Sequence, residues 1–382
     1  MRRFFAFMLA LMLLLTGCGA AQPAETEAPT AAATEAAPTT EPTTEPTTEP
    51  APVYRNPLNG QIIDEPFTGR VFANTISNIP DALPHVGVTQ ADILMEMFVN
   101  SSIVRCLALY TDIESVEAIG STRSTRLMFN DICQHYSLIL AHAGGSSLCL
   151  ADATEKGVPH YNADSLMRQA DPLGQAMAYR DKQYKYGEHN LFTVGAGVKA
   201  YAEAQGVPMT LEKDYGLSFT EEAVPAEGED ADKINITFIY RKSKKETQMV
   251  YDAALGQYVY NQYGKAMADQ ITGETEGFDN VIVMFTTMTD VSYGKTYYHQ
   301  ADFLAGGTGY YANGGKIIPI FWTCDGDTEP FRFYHAEGEP LELGVGKTYV
   351  AVCSTDSTVT YETIAPVEET TAATEAIETT AG

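Results

Sequence analysis

The chain has 382 residues, 45% of them hydrophobic and 19% charged, with 50 acidic against 24 basic side chains and a formal net charge of −26. So large an acidic excess repels polyphosphate and anionic headgroups, which excludes nucleic acid as a partner and a purely electrostatic hold on lipid. Between two compositionally biased ends lie about 300 mixed residues, room for one large domain or two modest ones.

Residues 1–17 open with Arg2 and Arg3, continue as an apolar stretch from Phe4 to Leu15 and close on small residues. That order is a signal peptide, and its apolar part is too short to persist as a spanning helix. The ending "LTGC" matches the bacterial lipobox and predicts lipidation of Cys18. Acyl chains there would anchor the mature chain to the cell membrane on its extracytoplasmic face. Residues 18–52 form a Thr/Glu/Pro linker containing "TEPTTEPTTEP", and residues 356–382 repeat a Thr/Glu/Ala composition. Neither can build a core, so both are expected to be disordered spacers. Cys106, Cys133, Cys149, Cys324 and Cys353 remain, an odd number that cannot all pair internally. Their apolar neighbours mark most of them as small buried hydrophobes.

Residues 53–225 alternate element types. "GRVFANT" predicts a strand, "NIPDALPHVGVTQ" a punctuated loop, and "ADILMEMFV" and "IVRCLALYTD" paired strands across the turn "NSS". "STRSTRLMFNDICQHY" has helical spacing, with Ser or Thr available as N-cap. "SLILAHA" predicts a buried strand and "SLCLADATEKG" another helix; "TVGAGVKAYAEAQG" predicts a short helix from Thr193 to Gly206. The alternation argues for an α/β domain. After the breaker "TEEAVPAEGEDADK", residues 232–355 carry short β-type runs from "INITFIY" to "KTYVAVC". Turn chemistry such as "ANGGK" separates several of them, which predicts a mostly antiparallel, β-rich C-terminal domain.

Three constellations could carry chemistry. In "GSTRSTR", Arg123 and Arg126 stand three apart at an expected helix start, so they would share a face. Two guanidiniums beside free helix N–H groups suit a carboxylate or phosphate; alternatively both pair with the protein's own acids, such as Glu96 or Asp131. In "HAGGSS", Gly144 and Gly145 allow an N–H cradle, and Ser146 sits at a helix mouth. The G-x-S-x-G pattern of a nucleophile elbow is incomplete there. That leaves a cradle, a nucleophile near His142, or a plain strand-to-helix turn. In "GEHNLFT", His189 and Asn190 could orient a ligand or serve acid–base work, or cap a loop. His85, His135, His160, His299 and His335 show no metal spacing, and "DGD" at 325–327 lacks the later ligands of a calcium loop, so neither a metal nor a cofactor is expected. Trp322 lies in a β run, a core position.

Together, "NIPDALPHVGVTQADILMEMFV", "GSTRSTR", "LILAHAGGSS" and "EHNLFT" resemble the N-terminal domain of the YerB-like bacterial lipoproteins. "FDNVIVMFTTM", "GGTGYYANGGKIIPIFW" and "GKTYVAV" resemble that family's C-terminal domain. The similarity runs from about Tyr54 to Cys353, with the motifs in order. It implies an α/β core with an appended β-rich portion, tethered by lipid, and brings no reaction, because the domains are of unknown function. The family motif residues map onto Gly120, Arg123, Ser124, Arg126, His142, Gly144, Gly145, Ser146, His189 and Asn190. One departure is "YNQYGKAMADQITG", where the family often has a basic or histidine-containing stretch.

The leading expectation is therefore a cell-envelope lipoprotein that binds an anionic cell-wall ligand through an Arg/His/Gly-Gly-Ser cleft. A hydrolase or transferase would use His142 or His189 as general base. In a non-catalytic scaffold the same motifs would serve folding alone.

Overall fold

The computed structural model describes residues 52–182 and 187–364. The signal peptide, Cys18, the linker up to Ala51 and the tail from residue 365 lie outside the described residues.

In chain order the principal elements of the first half are β1 (Phe72–Ser77), β2 (Ile93–Asn100), β3 (Ile103–Tyr110), α1 (Leu127–His135), β4 (Ile139–His142), α2 (Ser147–Glu155), β5 (His160–Asn162) and α3 (Gly195–Ala204). The second half adds β6 (Lys233–Tyr240), β7 (Ser243–Asp252), β8 (Gln257–Gln262), β9 (Asn280–Thr286), β10 (Met288–Tyr293) and β11 (Thr296–Ala301). It ends with β12 (Gly307–Asn313), β13 (Lys316–Thr323), β14 (Arg332–His335), β15 (Thr348–Ser354) and β16 (Thr358–Glu362).

One large sheet runs through both halves, in the order β13-β12-β9-β15-β2-β3-β1-β4-β5 along its main path. Its first-half part is mixed: β1 is antiparallel to β3 but parallel to β4, and β4 is parallel to β5. The second-half strands pair mostly antiparallel, as in β9–β12, β12–β13 and β10–β11. The junction is β15, which lies parallel to β9 on one side and to β2 on the other. The central strands β2 and β15 are buried along their whole length. Their near-continuous apolar runs are what a strand covered on both faces requires.

A smaller sheet, β8-β7-β6-β16 with short edge strands, packs over one face. Buried and half-buried positions alternate along β6, the period-two signature of a strand with one covered face. Phe98, Cys106, Phe238, Tyr260 and Tyr349 fill the shared layer. The opposite face of the large sheet carries α1, whose Phe129 and Ile132 join a cluster with Trp322 and Phe331. Trp322 is 1% exposed, a core residue. All five described cysteines are buried and unpaired.

Three local expectations are corrected. α1 begins only at Leu127, with Arg126 as an N-cap that makes no side-chain capping bond, so neither arginine of "GSTRSTR" lies on a helical face. α3 begins at Gly195, because Thr193 belongs to the strand Leu191–Thr193. A Cβ at Gly195 would stand 1.8 Å from the Ile113 carbonyl oxygen, so only glycine allows that approach. Finally, order continues past residue 356. β16 pairs with β6 from Thr237 to Lys233, where the Thr/Glu composition had suggested tail.

Candidate functional site

The two motifs richest in glycine and arginine lie side by side because their backbones are tied to each other. Residues 121–126 are extended rather than helical. Arg123 N–H donates to Thr75 O at 3.0 Å, and Thr125 N–H to Gly144 O at 3.0 Å. In return Ala143 N–H donates to Arg123 O at 2.9 Å. These long-range bonds tie the backbone of the segment to β1 and to the glycine turn, and the helix begins only at Leu127.

At the glycine turn, Gly144 takes φ +78°, and its N–H donates to Asn162 Oδ1 at 2.9 Å. His142 is fully buried. Its Nδ1 lies 2.8 Å from Gly144 O, and its Nε2 lies 3.1 Å from Nδ1 of His160. Burial and then the neighbouring His160 push His142 down to about 3, so it is neutral at ordinary pH. Ser146 is the N-cap of α2: its Oγ accepts from Cys149 N–H at 3.3 Å and lies 3.3 Å from Cys149 Sγ. Gly145 packs against Leu150, where a Cβ would come within 3.0 Å of Cδ2. His142 and Ser146 are thus each engaged with other partners, and neither is poised as base or nucleophile for the other.

The arginines are held differently. Arg123 reaches the 187–190 loop, with Nη1 donating to Glu188 O and Nη2 standing 3.7 Å from Glu188 Oε2. Arg126 donates from Nε to Asn100 Oδ1 at 2.8 Å and from Nη1 to Thr125 O at 2.7 Å. Its guanidinium carbon stands 5.5 Å from the Tyr298 ring centroid. Glu96 and Asp131 pair instead with Lys245 and Lys156.

A third arginine, Arg105 on β3, joins this group. It is 3% exposed, Arg126 is 9% exposed, and Arg105 Nη1 donates to Ser124 O at 2.7 Å. Among the described residues, neither Arg105 nor Arg126 forms an ion pair with a carboxylate, and Arg105 Nε has no hydrogen-bond partner. Burial first, then Arg126 and Arg123, lower the Arg105 pKa well below its ordinary value. Burial also lowers Arg123 and Arg126. Two desolvated guanidiniums with no counter-charge are costly, which makes this cluster the least compensated electrostatic feature of the site.

Beyond Arg123, His189 is 2% exposed, and its pKa is lowered by burial and then by Arg123. Asn190 Oδ1 accepts from Arg180 Nη1 at 2.5 Å, and Arg180 Nη2 pairs with Asp164 at 2.6 Å. Asn190 therefore fixes the loop. Sequence reasoning missed Arg105, although a lone cation inside the apolar run "IVRCLALY" was its signal. His160 and Asn162 carried no signal, since their partners are 18 residues away in the chain. Among the described residues no three His, Cys, Asp or Glu side chains converge as metal ligands. No described helix is long and apolar enough to cross a membrane. The arrangement concentrates positive charge, with Arg126 and Arg123 near enough to Arg105 to lower its pKa.

Comparison with known proteins gives two family matches. Residues 58–208 match the N-terminal domain, and residues 234–350 the C-terminal domain, of a protein family of unknown function, DUF3048. A protein of Bacillus subtilis (strain 168) named "Putative lipoprotein YerB" is 24% identical over 298 residues, covering 78% of this chain and 85% of that protein. The crystal structure of YerB from Bacillus subtilis superposes with a TM-score of 0.68 at 20% identity, over 80% of this chain and 99% of that one.

Proposed function

The chain belongs to the YerB-like family of lipoproteins with DUF3048 domains, and from that premise we propose that it is a lipid-anchored envelope protein that binds an anionic ligand at Arg105, Arg123 and Arg126. The supporting observation is the pair of buried guanidiniums without a carboxylate in a chain of net charge −26. An anion lodged there would relieve their mutual repulsion, and each charge-assisted hydrogen bond is worth about 1.5–3 kcal/mol. Arg123 is the most exposed of the three, with His189 near enough to feel its charge. Gly144, Gly145 and Asn190 act as supports that hold the turn and the loop.

Acylated Cys18 would hold the chain at the extracytoplasmic face of the membrane, and the Thr/Glu/Pro linker would set its reach. Cell-wall fragments bearing a carboxylate or phosphate are the ligand class this geometry favours. A hydrolase or transferase reading is weaker, because both ring nitrogens of His142 are engaged and Ser146 caps a helix.

The test is calorimetric titration of the full-length chain in detergent micelles with N-acetylmuramic acid and with glycerol 3-phosphate. Saturable binding to either, abolished by Arg123→Ala with Arg126→Ala, supports the reading. Unchanged affinity in the double variant, or no binding by the wild type, leaves the scaffold reading in its place.

A further inference from the structure

A separate groove opens where the smaller sheet meets the first half of the chain. It is a cavity of about 640 Å³, lined by Pro80 and Val104 on one side and by Lys245, Gln248, Gln262 and Tyr263 on the other. That volume lies within the range of roughly 300–1,000 Å³ that small-ligand sites occupy.

The wall of the groove is electrically neutral. Lys245 is paired with buried Glu96, and the rim cation Lys244 lies 2.7 Å from Glu246. Behind the wall, Glu96 is saturated: Tyr260 OH donates at 2.9 Å, Tyr349 OH at 2.6 Å, Thr247 Oγ1 at 3.0 Å and Asn78 Nδ2 at 2.7 Å. The carboxylate accepts only, so the amide of Asn78 must turn its nitrogen toward Glu96 and its oxygen away. Asn78 Oδ1 in turn receives Gln262 Nε2 at 2.7 Å. The orientation of Gln262 is thereby fixed from the inside, and its Oε1 has no hydrogen-bond partner although the residue is only 2% exposed. An orphaned buried acceptor in a cavity wall asks for a donor from whatever fills the cavity. Beside it, Tyr263 is 42% exposed, with Lys245 Nζ 5.6 Å from its ring centroid, and the Tyr263 hydroxyl is anchored to Asn78 O at 3.0 Å.

We propose that this groove is a second ligand site, for a neutral saccharide chain whose hydroxyl or acetamido N–H donates to Gln262 Oε1 while a sugar face rests on Tyr263. Planar amides beside an exposed aromatic ring on a charge-neutral wall suit a polyhydroxylated ligand; an anion would gain nothing from lysines already paired. Because the groove shares no lining residue with the arginine cluster, the two sites are testable apart.

The experiment is NMR or calorimetric titration of the full-length chain in detergent micelles with tri-N-acetylchitotriose, in wild type, Gln262→Met and Tyr263→Ala. The expected result is saturable wild-type binding, weakened about tenfold or more by each variant. Tyr263→Ala alters a partly exposed ring, so it remains informative if Gln262→Met fails to fold. The proposal is overturned if chitotriose gives no saturable change up to about 10 mM. It is equally overturned if both folded variants bind as wild type, or if a tetra-alanine peptide binds the groove in its place. Loss of anion binding in the arginine variants alone would bear on the other site and leave this result standing.

Discussion

Nε2 of His142 lies 3.1 Å from Nδ1 of His160, in a position where His142 has no exposure to solvent. The Gly144 carbonyl can only accept, so Nδ1 of His142 carries the proton and Nε2 is left to accept from His160. His160 Nε2 then faces Thr154 Oγ1 at 3.2 Å. The chain of bonds closes the glycine turn onto β5 and α2 only while the His142 ring is neutral, because a protonated His142 would set one N–H against another.

Acid should therefore loosen this turn. The folded value of His142 is about 3, against an ordinary 6.5, so the unfolded chain takes up the proton first. The contribution of His142 is complete above about pH 6.5 and is lost as pH falls toward 3, amounting to about 3 kcal/mol between pH 7 and pH 4. Urea unfolding across that range should show a shallower acid limb in His142→Gln than in wild type. Parallel limbs would sink the assignment.

Arg105 should behave as a stability liability that an anion cures. Replacing a buried, uncompensated charge by an apolar residue of similar length is expected to be neutral or stabilising, by about 1–4 kcal/mol. Arg105→Met should melt at or above the wild-type temperature in phosphate-free buffer. Added phosphate should then stabilise the wild type and leave the variant unmoved. A variant that melts lower and still responds to phosphate would show that the anion binds elsewhere.

Asp131 titrates against its own ion pair. Burial outweighs Lys156, 2.7 Å away, and raises the carboxyl from 3.8 to about 6. Burial lowers Lys156, but Asp131 and then Asp152 more than restore it, so the net shift is upward. The two shifts disagree on the worth of the pair. The unpartnered Asp131 Oδ2 favours the view that its ionised form is strained. A raised carboxyl costs stability as pH climbs from about 4 to 6, so Asp131→Asn should compare progressively better with wild type across that window. Denaturation midpoints at pH 4 and pH 7 decide it; a constant difference would mean that the shift is absent.

The proposed lipid anchor is Cys18. Metabolic labelling with a fatty-acid analogue should mark the wild type and leave Cys18→Ala unlabelled, with the variant moving from the membrane fraction to the soluble one. Labelling that persists in Cys18→Ala would assign the anchor to another residue.

Strand positions were legible wherever burial on one or both faces leaves a plain pattern, as in "ADILMEMFV" and "INITFIY". Local signals failed where long-range bonds decide. "STRST" has helix-capping chemistry, yet its N–H groups are claimed by Thr75 and Gly144, so it stays extended. "TVTYE" shares the composition of the tail, but Val359 and Tyr361 pack on the core between the sheets, which draws β16 into place. The arginine and glycine motifs were found as neighbours in sequence, and their backbones do interlock. Arg105 was hidden because β3 is buried on both faces from Val104 to Tyr110 whatever the charge it carries, and only the fold shows what stands opposite.

The placement of β15 bears on the order of events during synthesis. Ala351 pairs with Glu96, and Val283 pairs with Ala351 on the other side, so a late segment fills a slot between an early strand and a middle one. Until residue 354 has left the ribosome, β2 keeps an open edge on that side, and the first half alone cannot close its sheet. Pairing over such a separation is slow, because the loop must close before any contact rewards it. A chain built this way completes the pairing of its central strands only near the end of its own synthesis.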